Sequence, residues 1–411
     1  MIDGPYKLPE GWRWVRLGEA CQINPRRPRL DVNPTAEVTF VPMSAVDAEL
    51  GIIYTPEIKP FSAVKTGYTY FEENDVLFAK ITPCMENGKS AVARGLLNNI
   101  GFGSTEFHVL RPIDSVLSEW IWLYIRKKDF RELAKAAFRG GVGQQRVPRE
   151  FLQEVYIPLP PLNEQQLIVA KVEMLMEQVC EARRLRQKAV EDADRLWQSV
   201  LADTFPRPGA DLPSNWRWMR LGDICETKMG GTPSTKNAEY WNPPEIVWVT
   251  PEDLEKSVFN KVLSSKRHIS QLGLNRSSAK LFPRETILIS TTATIGKVGI
   301  SRIQLSANQQ ITGIIPNNNV EPCIVGYYFL FLGEIGLKQL GGTATATHIN
   351  QASLRSLTIP IPPREEQRRI VAYLETTHEK IISLKNSQAQ FGAELQCLEQ
   401  SILDSAFKGE L

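Results

Sequence analysis

Two short motifs in the sequence carry residues that catalytic sites use, and each lacks a group that the chemistry requires. Gly88-Lys-Ser90 ends like a phosphate-binding loop, but Pro83 stands where the leading glycine would donate its amide. Asn242-Pro-Pro244 begins the motif with which amino-methyltransferases hold a base, but Glu245 stands where an aromatic side chain would stack on that base. Neither motif therefore predicts a catalytic site.

The acidic and metal-ligating residue types predict no site either. Asp47 with Glu57 and Lys59 matches the acidic pair and lysine of metal-dependent nucleases, but nothing comparable occurs later in the chain. The 6 cysteines and 4 histidines are scattered, without the spacing of metal ligands. We therefore predict no catalytic residue, no metal site and no cofactor bound by this chain.

Hydroxyl, amide and ammonium groups that follow two apolar, strand-like runs are better candidates for binding. They are Lys80, Thr82 and Lys89 after residues 76–79, and Thr291, Thr292, Thr294 and Lys297 after residues 287–290. Such groups at the end of a strand can contact phosphates. The alternative is an ordinary polar turn.

Two aligned segments carry groups that suit the edges of bases. Ser104-Thr105-Glu106 and Asn308-Gln309-Gln310 lie at one common distance before Pro112 and Pro316. Asn and Gln pair with adenine, and Glu accepts from cytosine, so these segments can read sequence. A strand cap or a buried hydrogen-bonded pair is the alternative.

Two glycine-containing loops complete the set of candidate binding residues. The loops span residues 139–146 and 341–348, and they present Arg139, Gln144, Gln145 and Arg146 in the first and Thr343, Thr345, Thr347 and His348 in the second. Both are rich in hydrogen-bond donors, so we favour DNA contact over a plain connector.

These candidates recur because the sequence is internally duplicated. Residues 8–21 return as residues 212–225, a shift of 212 − 8 = 204, and residues 157–170 return as residues 359–372, a shift of 359 − 157 = 202. Two nearly equal shifts, near the start and the end of each copy, indicate that the whole unit is repeated. The resulting pseudo-two-fold symmetry suits a target with two separated half-sites.

Each copy predicts a globular α+β domain, a proline-rich hinge and a long helix. Runs of Val, Ile, Phe and Thr such as 38–41 and 246–249 predict strands, and residues 119–138 and 325–340 predict interleaved helices. Proline excludes helix and central strand from the hinges. The predicted organisation is a first domain at 1–156, hinge and helix at 157–205, a second domain at 206–358, and hinge and helix at 359–411.

The helices show the spacing of a coiled coil. Apolar residues recur in steps of 4 and 3 from Ile168 to Val200 and from Ile370 to Ile402, and this repeat predicts two helices of about 35 residues that pair antiparallel. Arg186 and Gln388 are equivalent polar breaks in the two seams. We interpret them as a register device, and a solvated defect is the alternative.

Motifs in a fixed order give the sequence a family resemblance. A Trp-rich segment with Leu-Gly, the turn Thr291-Thr-Ala-Thr-Ile-Gly-Lys297, the proline-rich hinges with Glu-Gln, and the closing Ala406-Phe-Lys-Gly-Glu-Leu411 occur in a doubled arrangement. Together they resemble the specificity subunit of a type I restriction-modification enzyme over essentially the whole chain. The resemblance implies two target recognition domains on double-stranded DNA, joined by helices that form a spacer and dock partner subunits.

The resemblance also implies which chemistry belongs to those partners. Two modification subunits would methylate adenine with S-adenosylmethionine, and restriction subunits would use ATP and Mg for translocation and cleavage. The loop after residues 76–79 is three residues longer than its counterpart, because 89 − 78 exceeds 297 − 289 by three. We therefore expect the two domains to read different half-sites of an asymmetric target.

Two other function classes remain open from the residues. A stand-alone methyltransferase or nuclease would need the missing catalytic motifs, and a coiled-coil assembly protein would not bind DNA. The composition, 42% hydrophobic and 23% charged with a net charge of +2, is typical of globular proteins. Since the sequence starts without a signal peptide and has no long apolar run, we expect a cytoplasmic protein without a membrane partner.

Overall fold

The computed structural model describes residues 6–141, 143–342 and 346–411. The chain forms two compact units, Met1–Arg186 with Gln390–Leu411, and Gln187–Ala389. Each unit therefore combines one globular region with a part of each long helix.

The described residues of the first unit form ten strands. They are β1 Arg13–Arg16, β2 Cys21–Ile23, β3 Glu37–Val41, β4 Glu57–Pro60, β5 Thr69–Glu72, β6 Val76–Ala79, β7 Ser90–Val92, β8 Ile100–Gly103, β9 Phe107–Pro112 and β10 Tyr156–Leu159. Its helices are α1 Leu17–Ala20, α2 Phe61–Val64, α3 Ser118–Ile125, α4 Lys128–Ala136, α5 Arg149–Glu154, the start of α6 Leu162–Thr204 and the end of α11 Arg364–Lys408.

The second unit repeats these elements in the same order. Its strands are β11 Arg217–Arg220, β12 Cys225–Met229, β13 Ile246–Val249, β14 Phe259–Val262, β15 His268–Ile269, β16 Leu281–Phe282, β17 Ile287–Ser290, β18 Val298–Ser301, β19 Leu305–Ala307, β20 Ile311–Pro316 and β21 Thr358–Ile361. Its helices are α7 Leu221–Ile224, α8 Gln271–Asn275, α9 Pro322–Gln339, α10 Gln351–Ser356 and most of α11 Arg364–Lys408.

Matching sheets confirm that both globular regions have one α+β fold. The first has sheets in the order β2-β9-β6-β7 and β4-β3-β8-β5, and the second has β12-β20-β17-β18-β14 and β15-β13-β19-β16. The orders correspond strand for strand, and the second unit adds β14 beside β18. The predicted strands at 38–41, 76–79, 246–249 and 287–290 are confirmed, and their apolar side chains are largely buried.

Each proline-rich hinge forms one strand of a two-stranded sheet in its own unit. β10 pairs with β1 and β21 pairs with β11, in the same antiparallel register. A two-stranded sheet has only edge strands, so it tolerates prolines that a central strand would exclude. Trp12 and Trp216, which lie next to β1 and β11, are each 8% exposed and anchor this sheet in its unit.

Two predicted helices end or bend inside their predicted ranges. Residues 119–138 form two helices, α3 and α4, because the backbone of Lys127 is extended (φ −58°, ψ 139°). At this break between the two helices, the Lys127 ammonium lies 2.8 Å from an Asp404 carboxylate oxygen. In α9, Gly333 interrupts the helix with a positive φ of 62°.

Within each unit, the two long helices run antiparallel, as predicted. In the first unit Arg183 pairs with Glu399 at 2.6 Å, and a Cβ on Gly392 would lie 3.1 Å from the Arg186 guanidinium. In the second unit Lys385 pairs with Asp194, and the His378 ring stacks on Trp197 with centroids 4.7 Å apart. α6 and α11 contain 43 and 45 residues, so both exceed the predicted length of about 35.

Four of the predicted seam positions were wrong by one residue, and the others are buried or half-buried as predicted. Leu196, Leu384, Phe391 and Leu398 fit the apolar repeat, but they are 55%, 42%, 44% and 49% exposed. The residues that follow them, Trp197, Lys385, Gly392 and Glu399, face the partner helix instead. The contacts at these four positions are two ion pairs, an arginine packed on a glycine and the stacked rings of Trp197 and His378. Apolar periodicity alone therefore could not predict which residues face the partner helix.

Candidate nucleic-acid interface

Three predicted segments of the first unit meet beyond the end of β6. The amide of Lys80 donates to the carbonyl of Glu106 at 2.9 Å, and the carbonyl of Lys80 accepts from Val147 at 2.9 Å. The amide of Thr82 donates to the carbonyl of Gln145 at 3.1 Å. We call residues 80–89, 104–106, 139–141 and 143–147 the first loop cluster, because backbone bonds join these segments at one end of the sheet.

The second unit repeats this junction at the end of β17. The amide of Thr291 donates to the carbonyl of Gln310 at 2.8 Å, and its carbonyl accepts from Ile349 at 2.9 Å. Thr292 and His348 form an isolated bridge, as Ile81 and Arg146 do in the first unit. We call residues 291–297, 308–310 and 346–349 the second loop cluster.

Equivalent backbone bonds establish which residues correspond between the clusters. Lys80 corresponds to Thr291, Glu106 to Gln310, and Arg146 to His348. The two clusters thus share a main-chain scaffold and differ in the side chains that it carries.

The first loop cluster is charged. The Nε and Nη2 atoms of Arg146 each lie 2.8 Å from a carboxylate oxygen of Glu106. The hydrogen bond from Arg146 holds the pKa of the Glu106 carboxyl below its usual range, so the pair stays ionised. Burial lowers the pKa of the nearby Lys80 ammonium.

The second loop cluster has the neutral residues Gln310 and Thr291 where the first has Glu106 and Lys80. The Asn308 side-chain amide donates to the Gln310 side-chain oxygen at 2.9 Å, and the Asn308 oxygen accepts from the Gln310 amide at 3.1 Å. The Thr292 hydroxyl lies 2.8 Å from Nδ1 of His348. The Gln309 side-chain oxygen accepts from the Thr232 hydroxyl.

Two of the three predicted phosphate-binding lysines have internal partners. The Lys89 ammonium donates to the carbonyl of Met43 at 2.9 Å, and the Lys297 ammonium donates to the carbonyl of Pro251 at 2.6 Å. Both carbonyls belong to the segment that follows the corresponding strand, β3 or β13. The equivalent bonds hold each loop against the neighbouring segment, and each uses one of the three N–H donors of an ammonium group that the sequence predicts to contact phosphate.

The other predicted site residues differ in accessibility. Thr105, Arg139, Gln144, Thr294, Gln309, Thr347 and His348 are exposed, Thr82, Ser104, Gln145 and Thr292 are half-buried, and Thr291 and Asn308 are buried. Ser104 accepts from the Glu106 amide at 3.2 Å, which is the local capping bond that the sequence left open as an alternative. Thr343 and Thr345 lie outside the described residues.

Two basic runs of the sequence, residues 126–128 and 183–186, take part in internal ion pairs. Arg126 and Arg183 both contact Glu399, and their side chains are 11% and 21% exposed. These ion pairs join the globular region and α6 to α11. Arg126 and Arg183 are therefore neither phosphate contacts nor part of a solvated helix face. The run Arg26-Arg27-Pro28-Arg29 is exposed.

Sequence reasoning missed a pair of buried glutamines at the joints between globular region and long helix. The Gln165 side chain accepts from the amide of Leu117 at 2.9 Å and donates to the carbonyls of Ser115 and Pro160, each at 3.0 Å. Gln367 makes the corresponding bonds to Glu321, Asn319 and Pro362. The signal was present in the sequence, because a glutamine follows the hinge at the same place in both copies.

His108 supports the first loop cluster from below and predicts a pH dependence. It is 4% exposed, its Nε2 lies 2.8 Å from the Val147 carbonyl, and its Nδ1 faces the side-chain nitrogen of Asn24 at 2.9 Å. Asn24 cannot turn, because its oxygen accepts from the amide of Val109. Burial of the ring is the largest effect and lowers the pKa of His108, and the charges of Lys80 and Arg149 lower it further. The hydrogen bond to Val147 and the charge of Glu106 oppose this shift.

We expect the first unit to lose stability as pH falls below the ordinary histidine pKa of 6.5. The unfolded chain then binds a proton that the folded chain excludes, which costs up to about 1.4 kcal/mol per pH unit. Urea unfolding at pH 7.5 and 5.5 measures the loss. His108→Thr, which introduces the residue found at the matched position 312, should reduce it, and an equal loss in this variant would contradict the assignment.

Two further features of the described residues concern membranes and metal ions. No helix in the described ranges has both the length and the apolar composition that crossing a membrane requires. The described side chains also include no group of three or more His, Cys, Asp or Glu residues placed to hold a metal ion.

Known proteins share this duplicated arrangement. The sequence matches the family described as "Type I restriction modification DNA specificity domain" twice, over residues 9–188 and 213–390. It is 38% identical over 219 residues to the type I restriction enzyme EcoEI specificity subunit of Escherichia coli, covering 52% of this chain and 36% of that protein. It is 24% identical over 428 residues to the putative type I restriction enzyme MjaX specificity subunit of Methanocaldococcus jannaschii, covering 98% and 95%.

Solved structures show the same likeness over the whole chain. A chain described under "Structural basis underlying complex assembly and conformational transition of the type I R-M system" is 33% identical, with a TM-score of 0.83 and coverage of 99% and 100%. The HsdS subunit from Thermoanaerobacter tengcongensis is 34% identical, with a TM-score of 0.65 and full coverage of both chains. The match spans only about a third of the length of the E. coli EcoEI and EcoAI relatives, 36% in each case. Since the family match extends over most of the sequence, this chain belongs to the type I restriction-modification DNA specificity family.

Proposed function

We propose that this chain is the DNA sequence-recognition subunit of a type I restriction-modification complex and that it binds an asymmetric, bipartite target. One observation carries the proposal: two loop clusters have the same backbone junctions and different side chains. A shared scaffold indicates one mode of approach to DNA in both units. Different side chains at matched positions, Glu106 and Arg146 against Gln310 and His348, favour two different half-sites.

In this proposal the chain chooses the site and its partners perform the reactions. Two modification subunits methylate adenine with S-adenosylmethionine, and restriction subunits use ATP and Mg²⁺ to translocate and cleave DNA. In the first loop cluster the Glu106 carboxylate is held in an ion pair with Arg146, and the Lys89 ammonium is held by a main-chain carbonyl. These groups support binding and positioning, so we assign the chain no catalytic step.

Exposed apolar side chains on the long helices support the docking of modification subunits. On the first unit's helices Leu167, Met174 and Leu185 are 71%, 52% and 51% exposed. On the second unit's helices Leu196 and Tyr373 are 55% and 56% exposed. Rows of exposed apolar side chains on a helix mark a surface for a protein partner.

Mapping of N6-methyladenine in the host genome, with the gene intact and deleted, tests the proposal. We expect a split, asymmetric motif that loses its methylation on deletion. An unchanged methylome would contradict the recognition role. Methylation of DNA by the purified chain alone with S-adenosylmethionine would contradict the assignment of catalysis to partners.

A further inference from the structure

The guanidinium of Arg146 is held in one orientation at the surface of the first loop cluster. Its Nε and Nη2 donate to the two carboxylate oxygens of Glu106 at 2.8 Å, and its Nη1 donates to the carbonyl of Gln144 at 3.1 Å. The backbone of Arg146 is bridged to both Arg139 and Ile81. An arginine fixed in this way has lost its rotamer freedom before it meets a ligand.

The donors that remain suit a ligand with two adjacent acceptors. A guanidinium has five N–H groups, and the bonds to Glu106 and Gln144 use three of them. In the described part of the chain, one N–H on each terminal nitrogen of Arg146 is left, which is what a bidentate acceptor requires. The Arg146 side chain is 42% exposed while that of Glu106 is 25% exposed, so the guanidinium is the more accessible partner.

Charge decides between the two DNA groups that accept in this way. A phosphate is anionic and would approach the carboxylate of Glu106, which offsets the attraction of the guanidinium. The major-groove edge of guanine is uncharged and offers O6 and N7 side by side. An arginine already neutralised by a glutamate therefore matches guanine better than phosphate.

We propose that Arg146, positioned by Glu106, reads a guanine in the half-site that the first unit binds. This inference rests on the proposed recognition function and adds one base to it. The second unit holds Gln310 and His348 at the matched positions, so the arginine-glutamate reader belongs to the first unit.

A selection experiment on the complex with its modification subunits tests the assignment. A duplex library randomised in both halves is methylated, and the methylated molecules are sequenced for the parent chain and for Arg146→Lys, Arg146→Ala and Glu106→Gln. Arg184→Ala is the control, because Arg184 is an exposed helix arginine paired only locally with Glu181.

Both Arg146 variants should lose preference for guanine at one position of one half-site, by about tenfold or more, with the other half-site unchanged. Glu106→Gln should weaken the preference at the same position, and Arg184→Ala should leave both half-sites as in the parent. Arg146→Lys keeps a cation, so it distinguishes the two ligands: a phosphate contact predicts a nearly unchanged activity and motif for it.

An unchanged motif in Arg146→Lys and Arg146→Ala would overturn the inference. A uniform loss of methylation across sequences in Arg146→Ala, with the parent's base preferences retained, would overturn it in favour of a phosphate contact. A parent complex that selects no split motif would contradict the proposed function itself, and this outcome is distinguishable because it precedes any variant.

Discussion

Replacing Gln165 with alanine is expected to lower the free energy of unfolding of the first unit by about 3 kcal/mol. The Gln165 side chain is 0% exposed and bonds Leu117, Ser115 and Pro160, which lie on both sides of the joint between the globular region and α6. Truncation leaves the amide of Leu117 and the carbonyls of Ser115 and Pro160 without these bonds, and each orphaned group that water cannot reach costs on the order of 1–3 kcal/mol. Urea denaturation followed by circular dichroism measures the effect.

The chain provides a matched control for this substitution. Gln166 is the next residue of the same helix and is exposed, so Gln166→Ala should change the free energy by less than about 0.5 kcal/mol. Gln367→Ala should repeat the large effect in the second unit, since Gln367 makes the equivalent bonds. Similar small effects for Gln165→Ala and Gln166→Ala would show that the joint does not depend on the buried glutamine.

Replacing Asp75 with threonine should destabilise the first unit by about 3 kcal/mol. Asp75 is 1% exposed, and its carboxylate accepts from Nε and Nη2 of Arg111 at 2.8 and 2.7 Å and from the amide of Glu72 at 2.7 Å. The bonds to Asp75 raise the pKa of Arg111, so the single change leaves a charged, partly buried guanidinium without its main partner. Chemical denaturation of the parent and the variant measures this cost.

The second unit shows a neutral solution at the same place in the fold. The strand pairing places Thr286 where the first unit has Asp75, and Ile315 where it has Arg111. The double variant Asp75→Thr with Arg111→Ile should therefore recover more than half of the lost stability, because removing both members of a buried pair costs less than removing one. A double variant as unstable as Asp75→Thr alone would contradict this comparison.

The duplicated fold was predictable because the same local sequence patterns occur in both copies. Nearly equal sequence shifts at the start and the end of the copies predicted two similar domains, and apolar runs such as 76–79 and 287–290 predicted the strands that end at the loop clusters. The alignment of Glu106 with Gln310 on the following prolines was also confirmed by equivalent backbone bonds. These inferences required only the residue types and their spacing along the sequence.

The features that were missed depend on contacts between distant residues. Glu106 and Arg146 are 40 residues apart, so no spacing rule joins them into a pair. The sequence predicts that the ammonium groups of Lys89 and Lys297 contact phosphates. It does not predict that each of them donates to a main-chain carbonyl 46 residues away. Leu196 and Leu384 fit the heptad repeat and face outward, because apolar periodicity cannot distinguish an internal seam from a docking face.

A chain that carries the second recognition unit twice tests the central claim most directly. Residues 213–361 would replace residues 9–159, and the complex with modification subunits would be offered a duplex library randomised in both halves. If each unit reads one half-site, the duplicated chain should methylate an inverted repeat of the second half-site, whereas the parent selects an asymmetric motif. Retention of the parent's asymmetric motif by the duplicated chain would contradict the assignment of one half-site to each unit.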